Sequence, residues 1–424
     1  MNKRVLMIAF YYYPHSSSGP HRPVRFAKYL PEFGWVPTVL TVDWTQDNSR
    51  GLYDPALKEA GEICEVVRVP LSPAPSRTVR SRLRFISERL MPYRSPFWFG
   101  RRMLARAVDL VRQVGFDAIW STYGPGLDHY VADALSRRFG IPWVADFRDL
   151  PDQMYDTWDK RWAVRAEVCT CASASALVAV NQWSADRLAS RHKAPVHAIP
   201  NGYEPADFPP VGSHRSEKFT IAYFGAVYTG RDPRPVLEAL DLLVERQAVD
   251  LEDVQVVFHT PFGDSARADP PAHLREFRCG RAVTWSDWVP YAEMVKRQQE
   301  ATVLLLLTSP GALGVTPGKV FGYLASRRPI LSVPSDNGVV DALLAETGGG
   351  CSASAPGTIA QILQGWYEEW KRTGTVVYRG QEKVISRYSG QSLTRHLAGV
   401  LDEVVGQGRP SGGGLAQAGA WGGR

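Results

Sequence analysis

Residues 301–333 read ATVLLLLTSPGALGVTPGKVFGYLASRRPILSV, and this stretch decides the fold. Val303 to Leu307 is an unbroken apolar run, the pattern of a parallel strand covered on both faces, and Ser309-Pro310-Gly311 stops it. A loop then leads through Pro317-Gly318 into a helix that opens on Lys319, with Val320, Phe321, Leu324 and Ala325 at helical spacing. Pro329 to Val333 supplies the next strand. Glycine lets a ligand approach the main chain, and a helix N-terminus carries roughly half a positive charge, so the turn can seat a diphosphate beside Lys319. The same turn also reads as an ordinary βαβ connection with a solvated lysine. Its spacing matches neither the P-loop nor the dinucleotide fingerprint.

Working outward, 424 residues allow two to three domains, and 44% hydrophobic content with 11% aromatics supplies buried cores. The five cysteines, Cys64, Cys169, Cys171, Cys279 and Cys351, have neither zinc-ribbon nor C-x-x-C spacing and read as reduced thiols, which points to the cytoplasm. The apolar run after Met1-Asn2-Lys3-Arg4 is too short for a signal peptide and meets YYYP, so it reads as a first strand. No run approaches the roughly 18 apolar residues of a spanning helix, and any membrane contact is expected to be peripheral, at the inner face. Carboxylates and histidines are scattered without ligand spacing, so no cofactor and no dedicated metal site is expected; no visible motif requires a divalent ion.

The net charge of +6 is concentrated locally. Between Ser76 and Arg106 nine arginines face a single acid, Glu88, and are interleaved with Leu83, Phe85, Ile86, Phe97, Trp98 and Phe99. This combination suits an anionic membrane surface, and it also suits a solvated helical hairpin with an apolar core face. Nucleic-acid binding is not expected, because no recognised module accompanies the patch.

Short apolar runs alternate with helical segments from the start, the signature of βαβ units. VLMIAF, VPTVLTV, FDAIWST, Ile141–Ala145, ALVAV and HAIPNGY read as strands of a first half, and Phe219–Phe224, VQVVF, AVTW, VLLLL and PILSV as strands of a second. A polar stretch with three prolines, Glu204 to Ser216, marks a linker between them. The expected organisation is a domain over 1–203, a linker over 204–217, a second domain over 218–387, a helix over about 388–405 returning to the first domain, and a disordered Gly-rich tail over 406–424. In open α/β sheets ligands sit beyond the carboxyl ends of the strands. Ser16 to Gly19, Ser121 to Gly126 with His129, and Asp146 to Asp149 fall there. Asp146 and Asp149 around Arg148 also read as a helix cap and a surface ion pair, and a lone histidine on a helix is more often structural.

Two such halves across a linker, the second with a phosphate-type loop, resemble the GT-B architecture, two Rossmann-like domains facing each other across a cleft. YYYPHSSSGPHRPVRFAKYLPEFGWVPTVLT, VADFRDL, AIPNGYEPADF, YFGAVYTGRDP and TPGKVFGYLASRRPIL are each similar to segments of the family-four, retaining, nucleotide-sugar glycosyltransferases, in the same order. The resemblance extends to about residue 405. It implies a donor site at Gly19, Gly225, Arg231, Pro317, Gly318 and Lys319, with Arg231 and Lys319 neutralising the departing diphosphate. It assigns Asp149, Arg148 and His129 to catalysis or acceptor orientation, and Arg22, Asp146 and Thr122 to the acceptor side. The implied partners are a nucleotide sugar and a glycan or lipid-linked acceptor of envelope, exopolysaccharide or glycolipid assembly, with an anionic membrane met through 76–106.

One departure stands out. Relatives usually carry a glutamate three residues after the lysine and another eight positions before that one; here both are glycines, Gly322 and Gly314. Glycine offers no acceptor to a ribose, and inside a helix Gly322 costs about 0.5–1 kcal/mol relative to alanine. The alternatives are therefore a non-catalytic or repurposed GT-B protein, a soluble natural-product glycosyltransferase, and a nucleotide-sugar epimerase.

Overall fold

The computed structural model describes residues 2–46, 56–70, 97–154, 157–210, 216–227, 230–260, 276–286, 289–309, 311 and 313–407. The chain divides into two compact units. The first comprises Met1–Val178, Leu188–His197 and the segment from Arg395 onward; the second comprises Ala179–Arg187 and Ala198–Thr394.

The first unit is built on a seven-stranded sheet. Its strands are β1 (Lys3–Ile8), β2 (Trp35–Asp43), β3 (Glu65–Pro70), β4 (Ala118–Thr122), β5 (Trp143–Phe147), β6 (Ala176–Ala179) and β7 (Val196–Ala198). They lie in the order β3-β2-β1-β4-β5-β6-β7, and β3 through β5 pair in parallel. Its helices are α1 (His21–Tyr29), α2 (Ala56–Gly61), α3 (Phe97–Val114), α4 (Leu127–Phe139), α5 (Pro151–Met154) and α6 (Thr157–Thr170); α7 (Gln182–Ala189), which follows β6, belongs mostly to the second unit. Every residue of β4 and β5 is buried, as a parallel strand covered by helices requires.

In the second unit the six strands are β8 (Phe219–Phe224), β9 (Val254–His259), β10 (Val283–Ser286), β11 (Val303–Leu307), β12 (Ile330–Val333) and β13 (Gly350–Ser352), in the order β10-β9-β8-β11-β12-β13. Neighbouring strands along this order pair in parallel. Its helices are α8 (Arg234–Glu245), α9 (Tyr291–Glu300), α10 (Lys319–Ala325), α11 (Val339–Thr347), α12 (Pro356–Thr373) and α13 (Glu382–Ile385), followed by α14 (Gly390–Gln407). The run VLLLL sits centrally and feeds two cores at once. Val303, Leu305 and Leu307 join α8 and α12 on one face, while Leu304 and Leu306 join α10 and α11 on the other. Both sheets therefore reverse direction between their first and fourth strands, β1/β4 and β8/β11, which is where ligands of doubly wound sheets bind.

Several boundaries differ from those read in the sequence. β5 runs through Phe147 instead of stopping at Ala145, because Asp146 is neutralised inside the strand by Arg22 and Thr122. The edge strand β3 is not evident in the sequence, since Glu65 and Arg68 interrupt its apolar pattern. α6 begins at Thr157 and is followed by a 3-10 turn, Cys171–Ser173. α14 continues through Gly406 and Gln407, which the sequence placed in the tail. The rest of that tail, 408–424, and most of the arginine-rich segment, 71–96, lie outside the described residues. Among the described residues no helix is long and apolar enough to cross a membrane.

Candidate functional site

In the first unit, the ends of β1, β4 and β5 meet around a set of buried charges. Arg22 of α1 donates to Asp146 from Nε at 3.1 and 3.0 Å and from a terminal nitrogen at 2.6 Å. Thr122 at the end of β4 donates to the same carboxylate at 2.9 Å. Arg22, Thr122 and Asp146 are all buried, so the three residues expected on the acceptor side are turned on one another and tie α1 to β4 and β5. The Asp146 carboxylate is thus bonded to a guanidinium and a hydroxyl inside the protein, which braces the strand ends.

Arg148 is similarly engaged. It donates to the carbonyls of Tyr123 at 3.2 Å, Gly124 at 3.1 Å and Gly19 at 3.0 Å, bracing the loop after β1 against the loop after β4. Gly19 is a glycine for this reason, because a Cβ there would come within 2.9 Å of Tyr11 and 3.0 Å of Arg148. Arg148 is therefore a positioning residue. Asp149, the next residue, is exposed, and crowding by neighbouring atoms raises its pKa against the opposing pull of Arg148.

His129 also proves to be structural. It is fully buried on α4, bonded through Nδ1 to Ser121 at 2.8 Å, and packed edge-on against Phe147 at 4.7 Å. Burial, and then the nearby His192, lowers its pKa to about 3, so it stays neutral and out of reach. The sequence reading missed Asp128, one position earlier. Its carboxylate is fully buried and accepts the Phe10 amide at 2.8 Å, while its second oxygen has no hydrogen-bond partner among the described residues. Burial raises its pKa well above the usual carboxylate range, against the Phe10 amide and Arg148.

Five of the six expected donor residues, Gly225, Arg231, Pro317, Gly318 and Lys319, lie in the second unit, whereas Gly19 lies in the first. Gly225 follows β8 with φ +137°, and a Cβ there would lie 2.1 Å from the Lys319 Nζ. Lys319 donates to the Tyr223 hydroxyl at 3.2 Å and lies 4.3 Å from the centre of that ring. Tyr223 in turn donates to the Ala226 carbonyl at 2.8 Å, which fixes the ring under the lysine. Burial first, and the charge of Arg231 second, lower the Lys319 pKa to about 7. Two cationic side chains thus share one strand-end recess, the arrangement that an anion relieves. Pro317 and Gly318 form the first turn of α10, accepting the Val320 amide at 3.1 Å and the Phe321 amide at 3.4 Å. Nothing lies within 4 Å of the position of a Gly318 Cβ, so protein packing does not demand a glycine there.

The two anomalous glycines differ. At Gly314, φ is +74° and a Cβ would fall 2.0 Å from the Trp183 ring; Asn181 holds the Gly314 carbonyl at 2.7 Å and the Thr316 hydroxyl at 3.1 Å. Trp183 therefore fills the space a side chain at 314 would need. Gly322 is helical, and its Cβ would meet Phe208 at 3.5 Å and Gln298 at 3.9 Å, ordinary contacts. Neither Trp183 nor Tyr223 was singled out from the sequence, because each matters through a contact more than ninety residues away. A cavity of about 470 Å³ opens elsewhere on this unit, between Gly349, Cys351, Trp366 and Tyr378, and does not include Lys319.

Comparison with known proteins agrees with this fold. Residues 21–202 match the family model described as a glycosyl transferase 4-like domain. None of the curated proteins matches the sequence. Among solved structures, sucrose-phosphate synthase from Thermosynechococcus elongatus aligns with TM-score 0.63 at 14% identity, over 96% of this chain and 100% of that one. HepE from Anabaena, in complex with UDP-glucose, aligns with TM-score 0.63 at 13% identity, over 94% and 99%. A UDP-N-acetylglucosamine 2-epimerase aligns with TM-score 0.56 at 12% identity, over 98% and 99%. At these identities the likeness is one of fold.

Proposed function

We propose that the chain, which has a GT-B fold and whose residues 21–202 match the model of a glycosyl transferase 4-like domain, is a retaining glycosyltransferase that uses a nucleoside-diphosphate sugar. The observation that carries the proposal is the Lys319 site: an ammonium held on Tyr223 under Gly225, with Arg231 as its cationic neighbour. In the reaction the bond between the sugar anomeric carbon and the diphosphate oxygen breaks, a bond from the acceptor hydroxyl forms on the same face, and the acceptor proton passes to the departing diphosphate. The diphosphate gains negative charge, which Lys319 and Arg231 oppose most strongly in a poorly hydrated recess. Asp149 is the remaining acceptor-side candidate of the first unit, being the exposed carboxylate among the residues singled out there.

The proposed acceptor is lipid-linked or a glycan in envelope, exopolysaccharide or glycolipid assembly, with the arginine-rich segment 76–106 meeting an anionic inner membrane surface. Support for this comes from composition and from the exposed Arg101, Arg102 and Arg106 of α3. A test is to incubate the full chain with a panel of nucleotide sugars and membrane extract, reading nucleoside diphosphate release and the anomeric configuration of the product by NMR. Release with an axial donor giving an axial product supports the proposal; an inverted anomer contradicts the retaining course.

A second reading is favoured by one observation, the pair of glycines at 314 and 322 with Trp183 filling the first. It holds that the protein binds a nucleotide sugar without transferring it. Saturable donor binding with no turnover on any acceptor fraction would select this reading.

A further inference from the structure

Tyr223, the last residue but one of β8, is fully buried and packs against Phe258 of β9 with ring centres 5.9 Å apart. A tyrosine in such a place needs a partner for its hydroxyl. This hydroxyl meets two: the Ala226 carbonyl at 2.8 Å and the Lys319 Nζ at 3.2 Å. Gly225 makes the room, since a Cβ there would lie 2.1 Å from Nζ and 3.6 Å from the Tyr223 oxygen. The lysine has every reason to shed its proton. Burial and the repulsion of Arg231, from the loop after β8, both disfavour the ammonium, and no carboxylate of the described residues bonds to it. Two further titratable side chains are close by. Tyr323 of α10 spends its hydroxyl on the Phe224 amide at 2.9 Å, and His259 at the end of β9 stacks on Phe224, where burial and then Arg297 lower its pKa to about 4 and keep it neutral.

A carbonyl can only accept, so the Tyr223 hydrogen points at Ala226 and its lone pairs are what remain for Lys319. An ammonium donates to such a lone pair more strongly than a neutral amine does. The amine could take the tyrosine's hydrogen only by leaving the Ala226 carbonyl without its donor. The hydroxyl therefore favours the charged lysine, and the ring, 4.3 Å from Nζ, adds to the same preference. Two of the ammonium's three hydrogens are left for the oxygens of a ligand. We infer, resting on the donor site proposed above, that Tyr223 is a positioning residue of that site, its hydroxyl keeping Lys319 charged and directing the ammonium at the diphosphate.

Tyr223→Phe keeps the ring and removes the hydroxyl. The lysine Cε resonances of the full chain, with Lys319 identified by its loss in Lys319→Met, report protonation by NMR with no ligand present. Lys319 should titrate near pH 7 in the unaltered chain, and Tyr223→Phe should move that midpoint down by about one unit. Calorimetry with UDP-, GDP- and dTDP-glucose, whose diphosphate diesters keep constant charge, should then show a loss of affinity about tenfold larger at pH 8 than at pH 5.5. Tyr323→Phe removes an equally buried hydroxyl that does not touch Lys319, and should leave the midpoint in place. Thermal melting checks that each variant is folded. Should Tyr223→Phe not fold, 3-fluorotyrosine in the unaltered chain, a weaker acceptor, should still lower the midpoint. A midpoint unmoved by Tyr223→Phe overturns the role of Tyr223 and leaves the donor site standing. An equal movement in Tyr323→Phe assigns the shift to loosened packing and overturns it as well. Binding of none of the three nucleotide sugars, with the midpoint moved by Tyr223→Phe alone, contradicts the donor site and upholds the hold of Tyr223 on Lys319.

Discussion

In the proposed reaction Lys319 opposes the charge of the departing diphosphate, and its protonation gives the most specific expectation. Its pKa in the free protein is lowered to about 7, and a bound diphosphate favours the ammonium, so the bound pKa is higher. Below pH 7 the free protein already holds the proton and affinity is flat. Above pH 7 binding must take a proton up, so affinity for a nucleotide sugar, whose diphosphate diester keeps constant charge, should fall by up to about tenfold per unit until the bound pKa is reached. Calorimetry in buffers of different ionisation enthalpy should show proton uptake at pH 8 and none at pH 6; equal uptake at both contradicts the assignment. The glycines around the lysine separate packing from binding. Gly225→Ala, strained at φ +137° and colliding with Nζ, should cost about 1–3 kcal/mol of stability. Gly318→Ala meets nothing within 4 Å and should leave stability within about 0.5 kcal/mol while weakening nucleotide binding. Gly322→Ala should stabilise the protein by about 0.5–1 kcal/mol, read as a higher melting temperature.

At the scale of elements, Arg148 braces the loops after β1 and β4 through three carbonyls. Arg148→Ala should cost about 3 kcal/mol, leaving those carbonyls unpaired, and should loosen residues 15–20 and 123–126 together in hydrogen exchange. Loosening of one loop without the other would show that the bracing is not shared. The strands were legible because apolar runs such as VLLLL and IAYF are rewarded by burial wherever they pair. What could not be read was which polar residue would be buried with them. Asp146 looked like a strand's polar end and proved to be an internal ion-pair partner; His129 looked available and is in the core. Those outcomes depend on Arg22 and on Ser121 with Phe147, whose positions follow from the fold and not from local spacing. The contact of Trp183 with Gly314 is equally invisible to local spacing, although the anomalous glycine itself was plain.

Over the whole molecule, each unit carries a parallel sheet that reverses at its first and fourth strands, and each places its distinctive side chains there. At its strand ends the first unit ties Arg22, Asp146 and Arg148 into bracing contacts and leaves Asp149 exposed; the second keeps a lysine near an arginine beside Gly225. That asymmetry is what a donor site in the second unit and an acceptor site in the first would require. The most direct measurement is a thermal-shift titration of the full chain against a panel of nucleoside diphosphates and their sugars, alongside Lys319→Met. One nucleotide should stabilise the native chain, by about 2.7 kcal/mol at a hundredfold excess over Kd. The effect should require about 10- to 100-fold more ligand in Lys319→Met, since a charge-assisted contact is lost. No stabilisation by any nucleotide, or stabilisation untouched by Lys319→Met, would contradict the account.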